Sequence, residues 1–371
     1  MKQLRVGITA SALIADLSAD LWSSGINQNI VYLAMLLQRL DCVSEVVIVN
    51  CPSNSSPNKI AEYLGIKSVA EQEIVGTLDV VIELGFRGNQ DVFSNFRQRG
   101  GRLVSYMAGN TLIMNFEALA CGLSDRGECL ATSGFDAVWI TPQHWATNYS
   151  YAKITRSPNV AKAPHLWHQK CFVEAAARER NNPFMKRSLR KAWRVGSFDP
   201  NVNVVKTFHF PFLVTEQAFR QAPDKIQNLL LFSTERLKDV NHLQSLVASS
   251  NLGAAKKVFT EGRHVLAGVL GRHIDVVVTH QWENNLNYLY WDVLYSGHPL
   301  VHNADPISHL GYYYPDFDPV TGGEILLEAI GSHESQPIER RHAELEFLWS
   351  LSPENPRVQR SYKSLLNALY G

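Results

Sequence analysis

Apolar and polar residues alternate along the chain in a way that predicts two successive α/β domains. In the first 165 residues, apolar runs of strand length are separated by segments whose apolar residues recur at helical spacing. Ile26, Ile30, Leu33, Leu37 and Leu40 define the first such helix. Strands that alternate with helices are typical of a parallel sheet covered on both faces. The predicted strands are Leu4–Thr9, Glu45–Asn50, Asp79–Leu84, Arg102–Tyr106 and Ala137–Thr141, with further helices at Phe93–Arg99 and Leu112–Ala120.

A second alternating section begins near residue 193 and is followed by helical segments up to residue 371. Pro337, Pro353 and Pro356 divide these last segments, because proline suits the start of a helix better than its interior. Residues 167–194 have few strand signals and include the basic run Lys186–Lys191, which indicates a helical, partly solvated connection. The second set of strands is predicted at Trp193–Ser197, Asn228–Phe232, Lys257–Thr260, Ile274–Thr279 and Pro299–Asn303, with helices that include Asn241–Ser249 and His264–Leu270.

These patterns predict the fold class and the domain limits. We expect two Rossmann-like α/β domains, at residues 1–165 and 185–350, with a cleft between them. A C-terminal helix at residues 355–371 is expected to cross back and pack on the first domain. Open α/β sheets bind ligands at the carboxyl ends of their strands, so the cleft is the expected ligand site.

Composition narrows the class of function. Lys+Arg (35) and Asp+Glu (35) balance, and without a basic stripe no nucleic-acid partner is predicted. The five cysteines are scattered and lack CxxC spacing, which argues against a disulfide framework or a zinc site. No apolar stretch reaches the length of a transmembrane segment. Met1–Ala15 superficially resembles a signal peptide, but Val6-Gly7-Ile8 favours a first buried strand, so we expect a cytoplasmic protein.

The stretch His273–Asn303 carries the most specific chemical signal. An apolar run leads into a polar loop with Glu283, then into a helical segment with Asp292, and a Gly-x-Pro break precedes the next apolar strand. The two acids are nine residues apart, about half a turn out of phase on one helix, so Glu283 is expected in the loop. Asn284 or Asn285 is expected to start the helix as its N-cap, with free N–H groups that attract a diphosphate. Asp292 is expected to bind ribose hydroxyls; a surface carboxylate is the alternative.

The segment from Tyr290 to Val301, which reads YWDVLYSGHPLV, resembles the donor-site motif of the retaining GT-B glycosyltransferases. The family pattern is Glu, seven residues, Glu-Ala, then Gly-x-Pro and an apolar strand. Asp292 stands at the second Glu, which the resemblance implies binds the donor ribose. The first Glu falls on Asn284 and Glu283 lies one residue early, so this chain departs from the pattern and its stereochemical course is left open. Glu283 is a candidate catalytic residue, and Asn284, Asn285 and Asp292 are candidate donor-binding residues.

The resemblance implies further donor-site residues in the second domain. Val195–Asn203, followed by Lys206, is similar to the strand, glycine-containing loop and lysine that open this domain in the family, where the lysine meets the donor phosphates. Gly196 and Lys206 are therefore donor-binding candidates, although a lysine early in a helix is equally compatible with a solvated position. Arg263 follows a predicted strand at the same sheet edge and is a second cationic candidate, with a surface arginine as the alternative.

Two candidates lie in the first domain. Gly25 occupies the position of the family's glycine-rich loop near the reacting sugar and phosphate, and Asn27 as an N-cap is the competing explanation. His144 follows a predicted strand end and is a candidate catalytic base or acceptor hydrogen-bond partner. A structural role is the alternative for this histidine, as it is for His165.

The predicted function is a metal-independent glycosyltransferase, hexosyltransferase-like, that uses a nucleotide-diphosphate sugar as co-substrate and no other cofactor. The second domain is expected to hold the donor and the first to present the acceptor. The acceptor is open among a glycan, a lipid-linked molecule, a protein and a small molecule. Two alternatives share this architecture: a sugar-nucleotide epimerase, and a non-catalytic sugar-nucleotide-binding protein.

Overall fold

The structure is a computed structural model that describes residues 3–13, 25–52, 57–123, 134–185 and 191–371. The chain divides into two compact units. The first unit combines residues 1–168 with residues 349–371, and the second spans residues 169–348. Each unit has its own β-sheet. The two α/β domains predicted from the alternating pattern are therefore confirmed.

The first unit is built on a seven-stranded, fully parallel sheet with the order β3-β2-β1-β4-β5-β6-β7. Its central strand β1 is apolar and almost fully buried, because helices cover both faces of such a sheet. The strand reading of Val6-Gly7-Ile8 is thus confirmed. The strand order reverses between β1 and β4, and open α/β sheets bind ligands at such switch points. The strands are β1 (Leu4–Ser11), β2 (Val43–Cys51), β3 (Lys67–Ala70), β4 (Val80–Glu83), β5 (Arg102–Met107), β6 (Ala137–Ile140) and β7 (Val160–Lys162).

Three helices of the first unit begin at a side-chain cap, and two of these end at a glycine cap. The side chains of Asn58, Asn89 and Asn110 each accept a hydrogen bond from a backbone N–H of the helix that follows. Gly65 and Gly122 end their helices in the left-handed conformation that favours glycine. The helices are α1 (Gly25–Leu37), α2 (Lys59–Leu64), α3 (Gln90–Gln98), α4 (Thr111–Cys121) and α5 (Trp145–Thr155), with 3-10 turns at Glu71–Ile74 and Pro142–His144.

The second unit contains a six-stranded parallel sheet with the order β10-β9-β8-β11-β12-β13. Val276 of β11 is in register with Val195 of β8, so these two central strands end side by side. Four of the five predicted strands extend one or two residues too far, and the edge strand β13 was not predicted. The strands are β8 (Trp193–Ser197), β9 (Ile226–Leu231), β10 (Val258–Thr260), β11 (Val276–Val278), β12 (Leu300–His302) and β13 (Tyr312–Tyr313).

Two long helices of the second unit, α7 and α12, pack unusually close together. A Cβ at Gly322 would lie 2.6 Å from Val214, and one at Gly323 would lie 2.6 Å from Gln217, so only glycine permits this approach. The helices are α6 (Gln169–Arg178), α7 (His209–Gln221), α8 (Asn241–Ala248), α9 (Asn251–Ala254), α10 (Leu266–Val269), α11 (Tyr288–Ser296), α12 (Pro319–Ser332) and α13 (Ile338–Ser350), with 3-10 turns at Glu235–Leu237, Asp305–Ile307 and His333–Ser335.

The segment predicted as a solvated connection belongs to the second unit. Helix α6 buries Cys171 and Phe172, and the Phe172 ring meets Tyr295 of α11 edge to face at 6.0 Å. Its apolar face therefore contributes to the core, which corrects the sequence-based interpretation. Of the basic run Lys186–Lys191, residues 186–190 lie outside the described residues.

The C-terminal helix α14 (Pro356–Asn367) packs on the first unit, as predicted. Asn355 caps it and Pro356 occupies its first turn. Tyr362 is fully buried, and its hydroxyl donates to the Pro164 carbonyl oxygen at 2.8 Å and lies 2.8 Å from the Tyr106 hydroxyl. The Trp139 ring packs edge to face against Tyr362 at 5.9 Å.

We expect Tyr362→Phe to lower the free energy of unfolding of the first unit by about 1–3 kcal/mol, because the buried Tyr106 hydroxyl loses its acceptor. Urea denaturation followed by fluorescence measures the change. Tyr370→Phe is the matched control: its hydroxyl also donates to a carbonyl oxygen, of Asp79 at 3.1 Å, but at an exposed position. Equal destabilisation by the two variants would contradict the role assigned to the buried pair.

Candidate donor site at the carboxyl edge of the second sheet

A buried carboxylate lies directly after β8. Asp199 is 1% exposed, and its two carboxylate oxygens accept hydrogen bonds from the Thr279 hydroxyl at 3.0 and 3.3 Å. The Ser197 hydroxyl donates at 3.4 Å and the Gln281 side-chain amide at 3.5 Å. Burial raises the pKa of Asp199 to about 7, and these hydrogen bonds and the nearby Lys206 oppose the rise. The carboxyl edge of the sheet thus holds a group that titrates near neutral pH.

Lys206 is brought to the same edge by a tight turn. The Asn201 N–H donates to the Lys206 carbonyl oxygen at 3.1 Å, and the Trp282 N–H donates to the Val205 carbonyl oxygen at 2.9 Å, so the turn pairs with the chain that follows β11. Burial lowers the pKa of Lys206 to about 8, the Asp199 carboxylate opposes the fall, and Arg263 adds to it. Lys206, Arg263 and Asp199 are therefore close enough to interact electrostatically.

Helix α7 starts immediately after this turn. No side chain caps its first residues, although the Asn201 side chain accepts a hydrogen bond from the Phe208 N–H at 2.7 Å just before it. Pro211 has no N–H, so the first turn of α7, which follows the Lys206 turn, supplies the N–H groups of His209 and Phe210. An anion is favoured at such a position.

The loop after β11 is held by a network of amide side chains. The Gln281 N–H donates to the Asn303 side-chain oxygen at 2.9 Å, and the Asn303 amide nitrogen donates to the Gln281 carbonyl oxygen at 3.0 Å. The Asn284 amide donates to the Gln281 side-chain oxygen. His280 stacks on Phe210 at 4.2 Å and its Nδ1 lies 2.9 Å from the Tyr314 hydroxyl. Burial lowers the pKa of His280 to about 4, so this imidazole is neutral at physiological pH.

The predicted start of helix α11 is wrong by two to three residues. The N-cap is Asn287, whose side chain accepts a hydrogen bond from the Leu289 N–H at 3.4 Å, whereas Asn284 and Asn285 lie in the preceding loop. Asn284 is buried, and its amide nitrogen donates to the Gln281 side-chain oxygen, so this side chain packs within the loop. Glu283 lies in the loop, as the spacing predicted.

Glu283 has a backbone conformation that is unusual for its residue type. Its φ is +50°, in the left-handed region that favours glycine. Strained positions of this kind cluster at functional sites. Asp292 lies half-buried on α11, just over one turn from the start of the helix. Gly297 ends the helix in the left-handed conformation, as the Gly-x-Pro break predicted.

Gly196, a donor-binding candidate, belongs to a strand and not to the loop that follows it. It lies inside β8 and is buried, and a Cβ there would lie 2.8 Å from Ile274. Close packing against Ile274 is one reason for a glycine at this position. Arg263, by contrast, is exposed in the loop after β10, at the carboxyl edge as predicted.

The two first-unit candidates have different environments. Gly25 is exposed at the first position of α1, so the helix begins before the predicted cap Asn27. His144 is fully buried at the N-terminus of α5, in the structural position given above as its alternative. His165 is also buried, and burial lowers its pKa to about 4. A general base has to reach the acceptor hydroxyl, and the enclosed His144 side chain is poorly placed for this.

Sequence reasoning missed Asp199. An acid directly after the apolar run Trp193–Ser197 is the available signal, since residues at that point lie on the ligand-binding edge of a parallel sheet. Its partner Thr279 is eighty residues away in the chain, so their pairing appears only with the strand order.

Across the described ranges, no group of three or more His, Cys, Asp or Glu side chains is arranged to hold a metal ion. In the same ranges, no helix is both long and apolar enough to span a bilayer. Cys42, Cys51, Cys121 and Cys171 are free thiols.

One family model matches residues 6–366, almost the whole chain, and its description is "Protein of unknown function (DUF2827)". The chain belongs to this family. A search of curated protein sequences gives no match for this DUF2827 member.

Solved structures share the fold of this DUF2827 chain over its whole length. HepE from Anabaena in complex with UDP-glucose has a TM-score of 0.60 at 10% identity, covering 99% of this chain and 100% of that one. The pneumococcal O-GlcNAc transferase GtfA in complex with UDP and GlcNAc has a TM-score of 0.56 at 9% identity, covering 98% and 99%. The α,α-trehalose 6-phosphate synthase of Burkholderia multivorans has a TM-score of 0.58 at 11% identity, covering 100% and 98%. The DUF2827 chain thus has the GT-B glycosyltransferase fold.

Proposed function

We propose that this DUF2827 protein is a glycosyltransferase that transfers a sugar from a nucleotide-diphosphate sugar to an acceptor without a metal ion. The observation that carries the proposal is the pair Lys206 and Asp199 at the carboxyl edge of the second sheet, next to the start of α7. Two structures with the same fold, HepE and GtfA, contain UDP-glucose and UDP. A nucleotide-diphosphate sugar supplies the anion that this edge is built to attract.

The donor diphosphate is assigned to Lys206, Arg263 and the first-turn N–H groups of α7. Negative charge grows on the leaving diphosphate as its bond to the sugar breaks. A fixed cation and oriented N–H groups that offset this charge in a partly desolvated site lower the barrier. In this proposal the cations of the chain take the place of a metal ion, so EDTA should leave turnover unchanged.

The sugar and the ribose are assigned to the loop after β11 and to helix α11. Glu283, in its strained conformation, is proposed to contact the donor sugar, and Asp292 to accept hydrogen bonds from the ribose. Asn285 is half-buried in the same loop and is available to contact the donor, whereas the Asn284 amide already binds Gln281 and orients the loop. His144, which is buried, is not assigned a role in the chemistry.

Isothermal titration of the full chain with UDP-, GDP-, dTDP- and ADP-sugars tests donor binding. We expect one of them to bind, and incubation with donor and candidate acceptors to release the nucleoside diphosphate. If a donor is converted to an isomeric sugar nucleotide without an acceptor, the protein is an epimerase. If a donor binds and is never turned over, even by slow hydrolysis, it is a binding protein. Failure of every donor to bind to the folded chain would overturn the proposal.

The titration of the pair predicts how donor binding depends on pH. Below pH 7 Asp199 is protonated and Lys206 charged, and above pH 8 Asp199 is charged and Lys206 neutral, so the net charge of the pair falls from +1 to −1. We expect the affinity for a UDP-sugar, whose diphosphate does not titrate in this range, to fall about fivefold from pH 8 to pH 9, as the charged fraction of Lys206 falls. Lys206→Arg should flatten this fall, since arginine stays charged. A wild-type affinity that is constant from pH 6.5 to 9 would contradict the assignment.

A further inference from the structure

The first unit has a pocket of about 240 Å³ at the carboxyl ends of β4 and β5. Three charged side chains line it: Glu83, Arg87 and Arg156. Apolar side chains, including Ile26, Met107 and Met114, form other parts of the wall. The pocket therefore combines two guanidinium groups and a carboxylate with apolar surface.

The loop that carries Arg87 is held tightly in place. The Gly85 N–H donates to the Thr9 carbonyl oxygen at 3.1 Å, and the Glu83 carboxylate accepts the Gly88 N–H at 3.4 Å, which closes the loop on itself. A Cβ at Gly85 would lie 2.4 Å from Ile30 and one at Gly88 would lie 2.1 Å from the Phe93 ring, so both positions require glycine. Arg87, which lines the pocket, thus belongs to a preformed loop.

Arg156 is oriented by a buried partner. It follows α5, and its Nη1 donates to the Ser105 hydroxyl at 2.5 Å. Ser105 is 1% exposed in β5, and the Arg156 guanidinium lies 5.7 Å from the Phe135 ring centroid. The hydrogen bond to Ser105 therefore fixes one end of this guanidinium, and Arg156 also lines the pocket.

We infer that this pocket binds the acceptor and that the acceptor is an anion, whose phosphate or carboxylate group is held by Arg87 and Arg156. The inference rests on the proposed function, which assigns the donor to the second unit and requires an acceptor as well. Guanidinium groups match the planar, bidentate geometry of carboxylate and phosphate oxygens better than an ammonium group does. Two such groups line this one small pocket, which suits it to a phosphate or carboxylate group.

The size of the pocket limits what it takes. A volume of about 240 Å³ lies below the range of about 300–1,000 Å³ of pockets that enclose drug-sized ligands. It fits a small acidic sugar, or the anionic end of a larger acceptor with the rest outside. The apolar side chains around Ile26 suit the hydrophobic face of a sugar ring.

The test is isothermal titration of the full chain with four probes: inorganic phosphate, glucose 6-phosphate, glucuronate and glucose. We expect glucose 6-phosphate or glucuronate to bind at least about tenfold more tightly than glucose, since charge-assisted hydrogen bonds are the stronger ones. The two acidic sugars distinguish a phosphate from a carboxylate acceptor, and inorganic phosphate shows whether the sugar ring contributes.

Substitutions locate the binding. Arg87→Gln and Arg156→Gln should each raise the Kd of the preferred anion about tenfold or more, whereas Arg360→Gln, at an exposed position on α14, should not change it. Both pocket variants should keep the wild-type affinity for the UDP-sugar, which also shows that they are folded. Glucose binding as tightly as both anions, no binding by either anion, or unchanged anion binding in both variants would overturn the inference. If the chain binds no donor but binds the anion in a way that depends on the two arginines, the proposed function is overturned. The pocket would then still be an anion-binding site.

Discussion

Lys206→Met is expected to lower kcat/KM for the donor by about 10²–10³-fold, because one fixed positive group is lost where charge develops in the transition state. Methionine keeps most of the volume of the lysine side chain, so the turn formed by Asn201 and Val205 should persist. Removal of the ammonium also leaves the buried Asp199 carboxylate without its positive neighbour. That carboxylate should then take up a proton more readily, which spares the fold an uncompensated charge. Release of UDP from a UDP-sugar, with an acceptor or with water, measures the loss.

Two matched variants separate a contact with the donor from general damage. Lys225→Met removes an exposed lysine of the same unit just before β9, at the amino edge of the sheet, and should leave turnover unchanged. Lys206→Met combined with Asp199→Asn should remain as inactive as Lys206→Met alone, since the cation is still missing. Turnover by Lys206→Met at the level of Lys225→Met would remove this lysine from the donor site and leave the proposal without its main support.

Central strands of both sheets were predictable because they are buried on both faces and so read as continuous apolar runs. Trp193–Ser197 is predicted at its observed bounds. The edge strands β3, β7 and β13 are two to four residues long and are mostly half-exposed, so they have no apolar run to detect. They become strands only by pairing with a neighbour, and that pairing is a non-local property of the fold.

Local rules located the candidate site better than they described it. Helical spacing placed Glu283 in a loop and Asp292 on a helix, and both are found there. Local rules did not identify which of Asn284, Asn285 and Asn287 is the N-cap. Asn284 instead packs within the loop through its hydrogen bond to Gln281, and Asn287 caps the helix. At Gly196 the packing requirement was not predictable, because Ile274, which a Cβ there would meet at 2.8 Å, is almost eighty residues away in the chain.

An Arg–Asp ion pair links β1 to the start of β4 in the first sheet, and a similar pair links β8 to the start of β11 in the second. In the second unit the Arg194 N–H and Nε both donate to one Asp275 carboxylate oxygen at 2.9 Å, and Nη2 donates to the other at 2.7 Å. In the first unit the Arg5 N–H and Nε donate to Asp79 at 2.8 and 3.3 Å. The pairs differ in burial: the Arg194 side chain is 9% exposed, and the Arg5 side chain 38%.

Asp275→Asn is expected to lower the free energy of unfolding of the second unit by about 3–5 kcal/mol, because it leaves the Arg194 guanidinium buried without a counter-charge. Asp79→Asn removes the same group from the more exposed pair and should cost about 1 kcal/mol or less, since water solvates Arg5. Urea denaturation of each variant, with fluorescence and circular dichroism followed together, measures the two losses.

A double variant decides why Asp275→Asn loses stability: because the attraction within the ion pair is lost, or because the Arg194 charge is left buried without a partner. Arg194→Met combined with Asp275→Asn removes both charges, and the asparagine oxygen still accepts the backbone N–H of residue 194. This double variant should regain a large part of the stability lost by Asp275→Asn, as replacement of a buried ion pair by groups of similar volume is often close to neutral. If it is as unstable as Asp275→Asn, the attraction within the pair itself stabilises β8 against β11. In that case the pair also holds in place the two strands from which the Lys206 turn and the Glu283 loop extend.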